Sequence, residues 1–312
     1  MEKINCPLCE SKSYEHIYSC SDALTQIDDI SFSIVKCLNC NFYYLNPRPD
    51  INEIKKYYPE KYYGEQIEKE QLLKKDFKIL RRKYSKIKKY EPKRLLDIGA
   101  QRGDFLEYSR RQNSSLEVFG TDLDETISNL FNIKYKYGYA WEVDYPAKHF
   151  DVITMWEVFE HIHKPGELLE KIHTWLSDSG ILILSLPNFN SINKRWMRAE
   201  DLPRHLFMFT PNSITKLLEK NKFEVFRKDF VRSIFPNTSK ELFVFWFKRI
   251  IQKKTWDEIL IEYTTPEKES RSFFLFLVRI YDRIITIPLQ FILNYFGYSS
   301  NMVIFAKKVK GR

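Results

Sequence analysis

Alanine is scarce in this sequence, occurring only six times in 312 residues, while Lys, Ile, Asn and Tyr are plentiful. An AT-rich genome produces that bias, and it raises lysine without selection for any polyanion. This is the favoured account of the +9 net charge and the pI near 9.1. The competing account is a nucleic-acid, anionic-membrane or acidic-substrate partner. Long apolar runs are also missing. None approaches the roughly 20 residues that span a bilayer, so no spanning helix is expected. Residues 1–8 place Cys6 and Pro7 where a secretory signal would need an apolar stretch, so none is expected. Cysteine is sparse, five in all, and four of the five fall in paired CxxC spacing. That arrangement argues for metal in a reducing compartment and against a disulfide framework. The expected location is cytoplasmic, with peripheral contact to a membrane left open.

The 44% of apolar residues is enough for a sizeable core, and the length favours a main domain plus an accessory. Residues 1–46 hold the cysteine pairs and short alternating runs such as Phe32-Ser33-Ile34-Val35, which read as a small β-rich knuckle. Residues 47–93 form a connector: Pro47, Pro49 and Pro59 punctuate its start, and 66–89 has helical periodicity with a dense basic face, usually a solvated one. From 94 onward short apolar strands alternate with helical stretches, the pattern of a parallel sheet. Strands are predicted at 94–98, 116–121, 150–156, 180–186, 223–231 and 301–308, with a weaker one at 135–143. Helices are predicted at 104–112, 166–176 and 212–220, the last behind Thr210-Pro211, a cap followed by proline at the first helical position.

The segment Leu95-Leu96-Asp97-Ile98-Gly99-Ala100-Gln101-Arg102-Gly103-Asp104 joins a buried strand to a helix through a glycine-containing turn. Glycines let backbone approach a ligand closely, and a helix N-terminus offers unpaired N–H groups. The next strand ends in Gly120-Thr121-Asp122. An acidic residue about 20 positions after such a loop, at a strand's carboxyl end, is placed to accept both hydroxyls of a ribose; the plainer alternative is an Asp that caps the following helix. Further on, residues 150–165 run Phe-Asp-Val-Ile-Thr-Met-Trp156 into Glu160-His161, and residues 175–188 close in Leu186-Pro187-Asn188.

In this order and spacing, residues 94–231 resemble the class I S-adenosylmethionine (SAM)-dependent methyltransferases. The resemblance implies an α/β fold: a Rossmann-like seven-stranded sheet with a small N-terminal zinc knuckle and a helical insert at about 233–300, within a methyltransferase domain spanning 94–312. It implies SAM as cofactor, with Asp97, Gly99, Ala100, Gln101 and Gly103 around the methionine portion, Asp122 and Leu123 at the ribose, and Trp156 at the cofactor's face. Gln101 stands where the family usually has glycine, and Ala100 where it usually has cysteine. A residue beside the adenine stays open between Glu142 and Asp144. SAM carries a positive sulfonium and no phosphate, so carboxylates, carbonyls and aromatic faces suit it.

Cys6-Pro7-Leu8-Cys9 and Cys37-Leu38-Asn39-Cys40 are each able to give two thiolates to one tetrahedral Zn²⁺, a structural ion because four thiolates leave no open position. Cys20 has no partner in the pattern. The continuation through Asn46-Pro47-Arg48-Pro49 and Tyr57-Tyr58 resembles modules that precede methyltransferase domains in bacterial sugar and cell-surface glycan pathways. Some of those are C-methyltransferases with a further catalytic domain for which this chain has no room. The expected reaction is therefore O-methylation of a sugar, nucleotide-sugar or lipid-linked glycan. His161 and His205 are the candidate bases for the acceptor hydroxyl, each equally readable as a packing residue. His149, His163 and His173 read as surface or helix residues. Two rival readings stand: an RNA methyltransferase, served by the zinc module and basic connector, and a non-catalytic zinc-dependent scaffold, for which Gln101 is the only hint. The expected partner is a small-molecule or glycan acceptor, with nucleic acid less favoured and the oligomeric state open. The aromatic and basic stretches 242–254 and 273–285 read either as interfacial helices at an anionic membrane or as a cap or dimer contact.

Overall fold

The computed structural model describes residues 1–22, 27, 29–58, 77–123, 131–191, 201–230, 253, 280, 284 and 292–309. Most of the aromatic insert and residues 59–76 of the connector thus lie outside the described residues. Two compact units emerge, and they do not follow chain order. One comprises Met1–Pro59, Pro187–Ser213 and Phe230–Met302; the other comprises Glu60–Leu186, Ile214–Asp229 and Val303–Arg312.

In the first unit, β1 (Tyr14–Ser21), β2 (Ser31–Cys37) and β3 (Tyr43–Leu45) form an antiparallel sheet. A distant pair, β9 (Phe207–Met208), adds a fourth strand by pairing Tyr43 with Met208 and Tyr44 with Phe207. Alternation explains β2: Phe32 and Ile34 turn inward and are fully buried, while Ser31 is exposed. Phe42, Phe207 and Phe209 form an aromatic cluster with centroids 5.5–6.0 Å apart. Arg204 is sunk in the same unit. Its Nη2 donates to Asp22 Oδ1 at 2.9 Å, its Nε to Asp201 Oδ1 at 2.9 Å, and its Nη1 to the Tyr57 carbonyl at 2.6 Å.

The second unit is built on a seven-stranded sheet. Its strands are β4 (Arg94–Ile98), β5 (Glu117–Asp122), β6 (Lys134–Tyr137), β7 (Phe150–Trp156), β8 (Leu176–Pro187), β10 (Phe223–Asp229) and β11 (Asn301–Lys308), in the order β10-β11-β8-β7-β4-β5-β6. The strands from β6 to β8 are parallel, and β10 pairs antiparallel with β11. The central strands are near-continuous apolar runs, as strands covered on both faces must be: Leu95, Leu96, Val152, Ile153, Met155, Leu182, Ile183 and Leu184 are all fully buried. This is the Rossmann-like sheet that the resemblance implies. The predicted strands and helices are found with ends shifted by a few residues, except that β6 stops at Tyr137 and β8 begins at Leu176. Gly138, at φ +126, ends β6.

The helices are α1 (Phe77–Ile87), α2 (Asp104–Gln112), α3 (Pro165–Trp175) and α4 (Pro211–Lys220). Helix α2 carries Asp104 and Glu107 in its first turn and Arg110 and Arg111 in its last, which complements the helix dipole. Thr210 caps α4 as expected: its Oγ1 accepts the Ser213 N–H at 3.1 Å, and Ser213 Oγ accepts the Thr210 N–H at 2.9 Å. Helix α1 departs from a purely solvated basic face. Lys86 is buried and donates to Asp229 Oδ2 at 2.6 Å, tying α1 to β10. Among the described residues no helix is long and apolar enough to cross a membrane.

Candidate functional site

From β4 the chain runs outward through β5 to β6, and from β7 to β8 in the opposite direction. The carboxyl ends of β4 and β7 therefore flank the point where the strand order reverses, the place where open α/β sheets bind ligands. Asp97 and Gly99 lie at the end of β4, Asp122 is the last residue of β5, and Trp156 is the last residue of β7.

The loop after β4 is shaped by three residues with positive φ: Gly99 at +74°, Gln101 at +48° and Gly103 at +79°. A side chain at Gly99 would put Cβ 2.4 Å from Val158 Cγ2, so glycine is required there both sterically and conformationally. The Gly99 and Ala100 N–H groups donate to the Thr121 carbonyl at 2.7 and 3.1 Å, closing the loop onto β5. Gln101 adopts the left-handed region that the family fills with glycine. Its N–H donates to Asp122 Oδ2 at 2.8 Å, and its carbonyl accepts the Tyr135 hydroxyl at 2.9 Å. The bulkier residue is therefore held on both sides and the turn is kept. Asp122 Oδ1 also accepts the Leu123 N–H at 2.8 Å, which fixes the carboxylate's plane at the strand end. Asp122 is buried and Leu123 beside it is exposed. Ala100 is buried under the loop.

Asp97 is almost wholly enclosed, and its Oδ1 accepts the Thr154 hydroxyl at 2.6 Å. Burial drives its carboxyl up to about 7, against the pull of Lys83 and Thr154 and with some help from Asp104 and Asp122. Trp156 is buried edge-on to Phe105, with centroids 5.4 Å apart. Glu142 closes a turn through its backbone N–H onto the Tyr139 carbonyl, and Asp144 pairs with Lys171 at 2.7 Å. Between β6 and β7, Tyr139 and Trp141 stack on each other, with centroids 4.7 Å apart.

The histidines fall in different units. His161 ends a 3-10 turn (Phe159–His161) after β7, and its Nε2 lies 3.9 Å from Oε1 of the buried Glu160. His205 is buried in the first unit, where its N–H donates to the Asp201 carbonyl. His149 packs edge-on to Phe119 and Phe150, and His173 edge-on to Phe223.

The four cysteines do come together. Their sulfurs all lie within 4.8 Å of one another, with Cys6–Cys40 and Cys9–Cys37 each at 3.5 Å. A tetrahedral ZnS₄ centre with Zn–S of about 2.3 Å needs sulfurs about 3.8 Å apart, so the donor set fits. The two turns are built alike. The Glu10 and Asn41 N–H groups donate back to the Cys6 and Cys37 carbonyls, and both residues have positive φ, at +63° and +62°. Burial pushes the Cys6 thiol far up and the Cys40 thiol up to about 11. Cys9 falls to about 7 although burial opposes it, because the Ser11 N–H and the Asn39, Cys40 and Cys37 side chains outweigh that penalty. Four converging thiols, two of them buried, become thiolates only with a cation to hold, and the donor set suits Zn²⁺.

Sequence reasoning overlooked four groups at or near these sites. Tyr135 covers the faces of Gly120 and Gly103, where an added Cβ would meet it at 2.7 and 2.8 Å. Glu157, at φ +58°, accepts the Ser185 hydroxyl at 2.7 Å. Lys83 places Nζ 5.6 Å from both the Phe105 and Trp156 ring centroids. Arg204 and Asp22 form a fully buried pair. Only the helical period of α1 could have hinted at Lys83, and nothing local could have joined Asp22 to Arg204.

The family described as a methyltransferase domain matches residues 72–228, half of the chain, and the chain belongs to that family. It is an enzyme of the SAM-dependent methyltransferase class. No curated protein matches it. Among solved structures it is similar to a SAM-dependent methyltransferase from Archaeoglobus fulgidus, with 20% identity, 73% of this chain and 94% of that one covered, and a TM-score of 0.45. It is also similar to a SAM-dependent methyltransferase from Mesorhizobium loti, with 12% identity, 69% and 90% covered, and a TM-score of 0.41. At these identities and scores both are likenesses only.

Proposed function

We propose that the enzyme methylates a hydroxyl of a sugar, nucleotide-sugar or glycan acceptor, with the cofactor seated at the ends of β4, β5 and β7. The observation that carries the cofactor placement is the Asp122 carboxylate, the last residue of β5, fixed in orientation by the Gln101 and Leu123 N–H groups at 2.8 Å each. When bound, SAM supplies the electrophilic methyl group. The loop of Asp97, Gly99, Ala100, Gln101 and Gly103 would hold the methionine portion, with Asp97 complementing its ammonium. Leu123 offers an apolar surface beside the ribose, and Trp156 closes the floor. A base must take the acceptor's hydroxyl proton as the oxygen attacks in line. His161, with Glu160 to orient it, and His205 are the two groups proposed for that role.

The sugar-type acceptor is supported by the cysteine module and the Asn46-Pro47-Arg48-Pro49 continuation, which resemble modules of glycan pathways. The RNA alternative drew on the connector's lysines, and it is weakened because Lys86 is buried against Asp229 and Lys83 is half-buried over Trp156. The scaffold alternative drew on Gln101, whose backbone keeps the turn formed. We also propose that Cys6, Cys9, Cys37 and Cys40 hold one structural Zn²⁺ that folds the knuckle and takes no part in the reaction. Calorimetry tests the cofactor site. The purified chain should bind SAM, and Asp122→Ala should lose at least about tenfold in affinity, since each charged hydrogen bond contributes about 1.5–3 kcal/mol. Failure of the wild type to bind SAM ends the cofactor reading, and unchanged affinity in the variant ends the role of Asp122.

A further inference from the structure

The segment that carries His205 is gripped on both sides of the histidine by residues 1–59, all within the first unit. On one side stands Arg204, 1% exposed. Its guanidinium donates to both oxygens of Asp22, at 2.9 and 3.4 Å, to Asp201 Oδ1 at 2.9 Å and to the Tyr57 carbonyl at 2.6 Å. On the other side, the Leu206 carbonyl accepts the Leu45 N–H at 2.9 Å, and Phe207 and Met208 pair with Tyr44 and Tyr43. His205 lies between these grips, buried, with its own N–H on the Asp201 carbonyl at 2.8 Å. Both grips are rooted in the strands that join the two CxxC turns. Asp22 directly follows β1, whose first residue, Tyr14, pairs with Cys37. The Cys37 N–H donates to the Phe42 carbonyl at 2.8 Å, and Phe42 stacks on Phe207 with centroids 6.0 Å apart. A buried arginine between carboxylates is a costly source of stability, since apolar side chains of similar volume often serve as well or better. What its planar fork supplies is direction, because it holds both carboxylates in one geometry.

We propose that Asp22 and Arg204 are positioning residues for His205, and that Cys6, Cys9, Cys37 and Cys40, through the Zn²⁺ they hold, keep β1, β2 and β3 in the register that sets them. The inference rests on the readings of His205 as the acceptor's base and of the cysteines as a zinc site. The knuckle is then a metal-dependent brace for the acceptor-side histidine. Loss of the metal disturbs the imidazole and spares the cofactor loop, since that loop belongs to the other unit and makes none of these bonds.

Histidine NMR on the full chain, labelled with ¹³C and ¹⁵N in its imidazoles, reads the geometry without turnover, and His205→Asn identifies the signals of His205. The zinc-loaded wild type should show a single narrow set from one tautomer. Asp22→Asn and Arg204→Met should each split or broaden that set and change the tautomer balance, with zinc content unchanged and S-adenosylhomocysteine affinity within about twofold of the wild type. Arg204→Lys should rescue little, because an ammonium cannot reproduce the fork. Chelation of the wild type should disturb His205 in the same way, again within about twofold in S-adenosylhomocysteine affinity, and added Zn²⁺ should restore the original signals. Unaltered His205 signals in Asp22→Asn, the smallest of these changes, overturn the proposal in favour of a purely structural network, whatever happens to the melting temperature. Unaltered signals after chelation, or a wild type without zinc, overturn the metal's part. Loss of S-adenosylhomocysteine binding in parallel with the His205 changes overturns the brace, because the network then holds the whole chain. A His205 that is fixed and single yet stays protonated through neutral pH ends the base reading and leaves the positioning intact.

Discussion

At the scale of single residues, Asp97 ties the site's chemistry to pH. Burial raises its carboxyl from the ordinary aspartate range to about 7, so the folded protein binds a proton there that the unfolded chain releases at lower pH. The sign follows directly. Its contribution to stability is fully present below about pH 4 and is lost as pH rises through about 7. Cofactor binding should run the other way, because an ammonium needs the ionised carboxylate. SAM affinity should rise close to tenfold per pH unit below 7 and level off above it, and Asp97→Asn should bind weakly with a flat profile. Calorimetry between pH 5.5 and 8.5 checks this, and a wild-type profile as flat as the variant's removes Asp97 from the ammonium's surroundings.

At the scale of elements, α1 and the cysteine turns make separate demands. Lys86 on α1 and Asp229 on β10 are both largely buried and meet at 2.6 Å. Burial alone would raise the Asp229 carboxyl, but Lys86 and Arg227 outweigh it and hold the carboxyl below its ordinary value. Its stabilising contribution is present above about pH 4 and is lost as pH falls through the depressed folded value. Removing Lys86 leaves Asp229 with Arg227 as its remaining counter-charge, at 2.8 Å, so Lys86→Met should lower stability by about 1–3 kcal/mol in denaturant melts at pH 7. The loss should shrink as the pH is lowered toward 3. A loss below about 1 kcal/mol at pH 7 means that the pair is solvated in solution. For the knuckle, metal analysis of the wild type should find one zinc per chain, and Cys37→Ser should lose it. Full occupancy in that variant means that the two CxxC turns do not share an ion. A wild type without zinc ends the metal assignment.

At the scale of the whole molecule, the +9 charge has two competing accounts, genomic bias and an anionic partner. Apart from Lys253, Ile280 and Ile284, stretches 242–254 and 273–285 lie outside the described residues, so the membrane reading stands on sequence alone. It predicts that the full chain co-sediments with anionic vesicles at low salt and is released at high salt, with Lys248, Arg249, Lys253 and Lys254 contributing about 1 kcal/mol each. Trp246→Ser with Phe247→Ser should abolish the binding. Absence of wild-type binding at low salt ends the membrane reading, and with it the reason to favour a lipid-linked acceptor over a soluble one.

Much of this was written locally in the sequence, because the forces that decide it are local. Strand β4 needs only its apolar run, α2 its helical period and flanking charges, and the β4 loop its two glycines, so segment 94–122 is legible from the chain alone. The paired CxxC turns are equally local, since each is closed by its own backbone hydrogen bonds. Other features depend on residues brought together from far apart. The lysines of α1 look alike in sequence. Only packing makes Lys86 a buried partner of Asp229 and sets Lys83 over Trp156, because a lysine's environment is decided by what its helix lies against. β9 is too short to declare itself and becomes a strand by pairing with β3, more than 160 residues earlier. Asp22 and Arg204 are joined across 182 positions. The sequence determined the longer elements and the glycine-bearing turn of the β4 loop. Tertiary structure decided which charges are buried, which donors lack acceptors and which segments share a unit, because burial and pairing belong to neighbours in space.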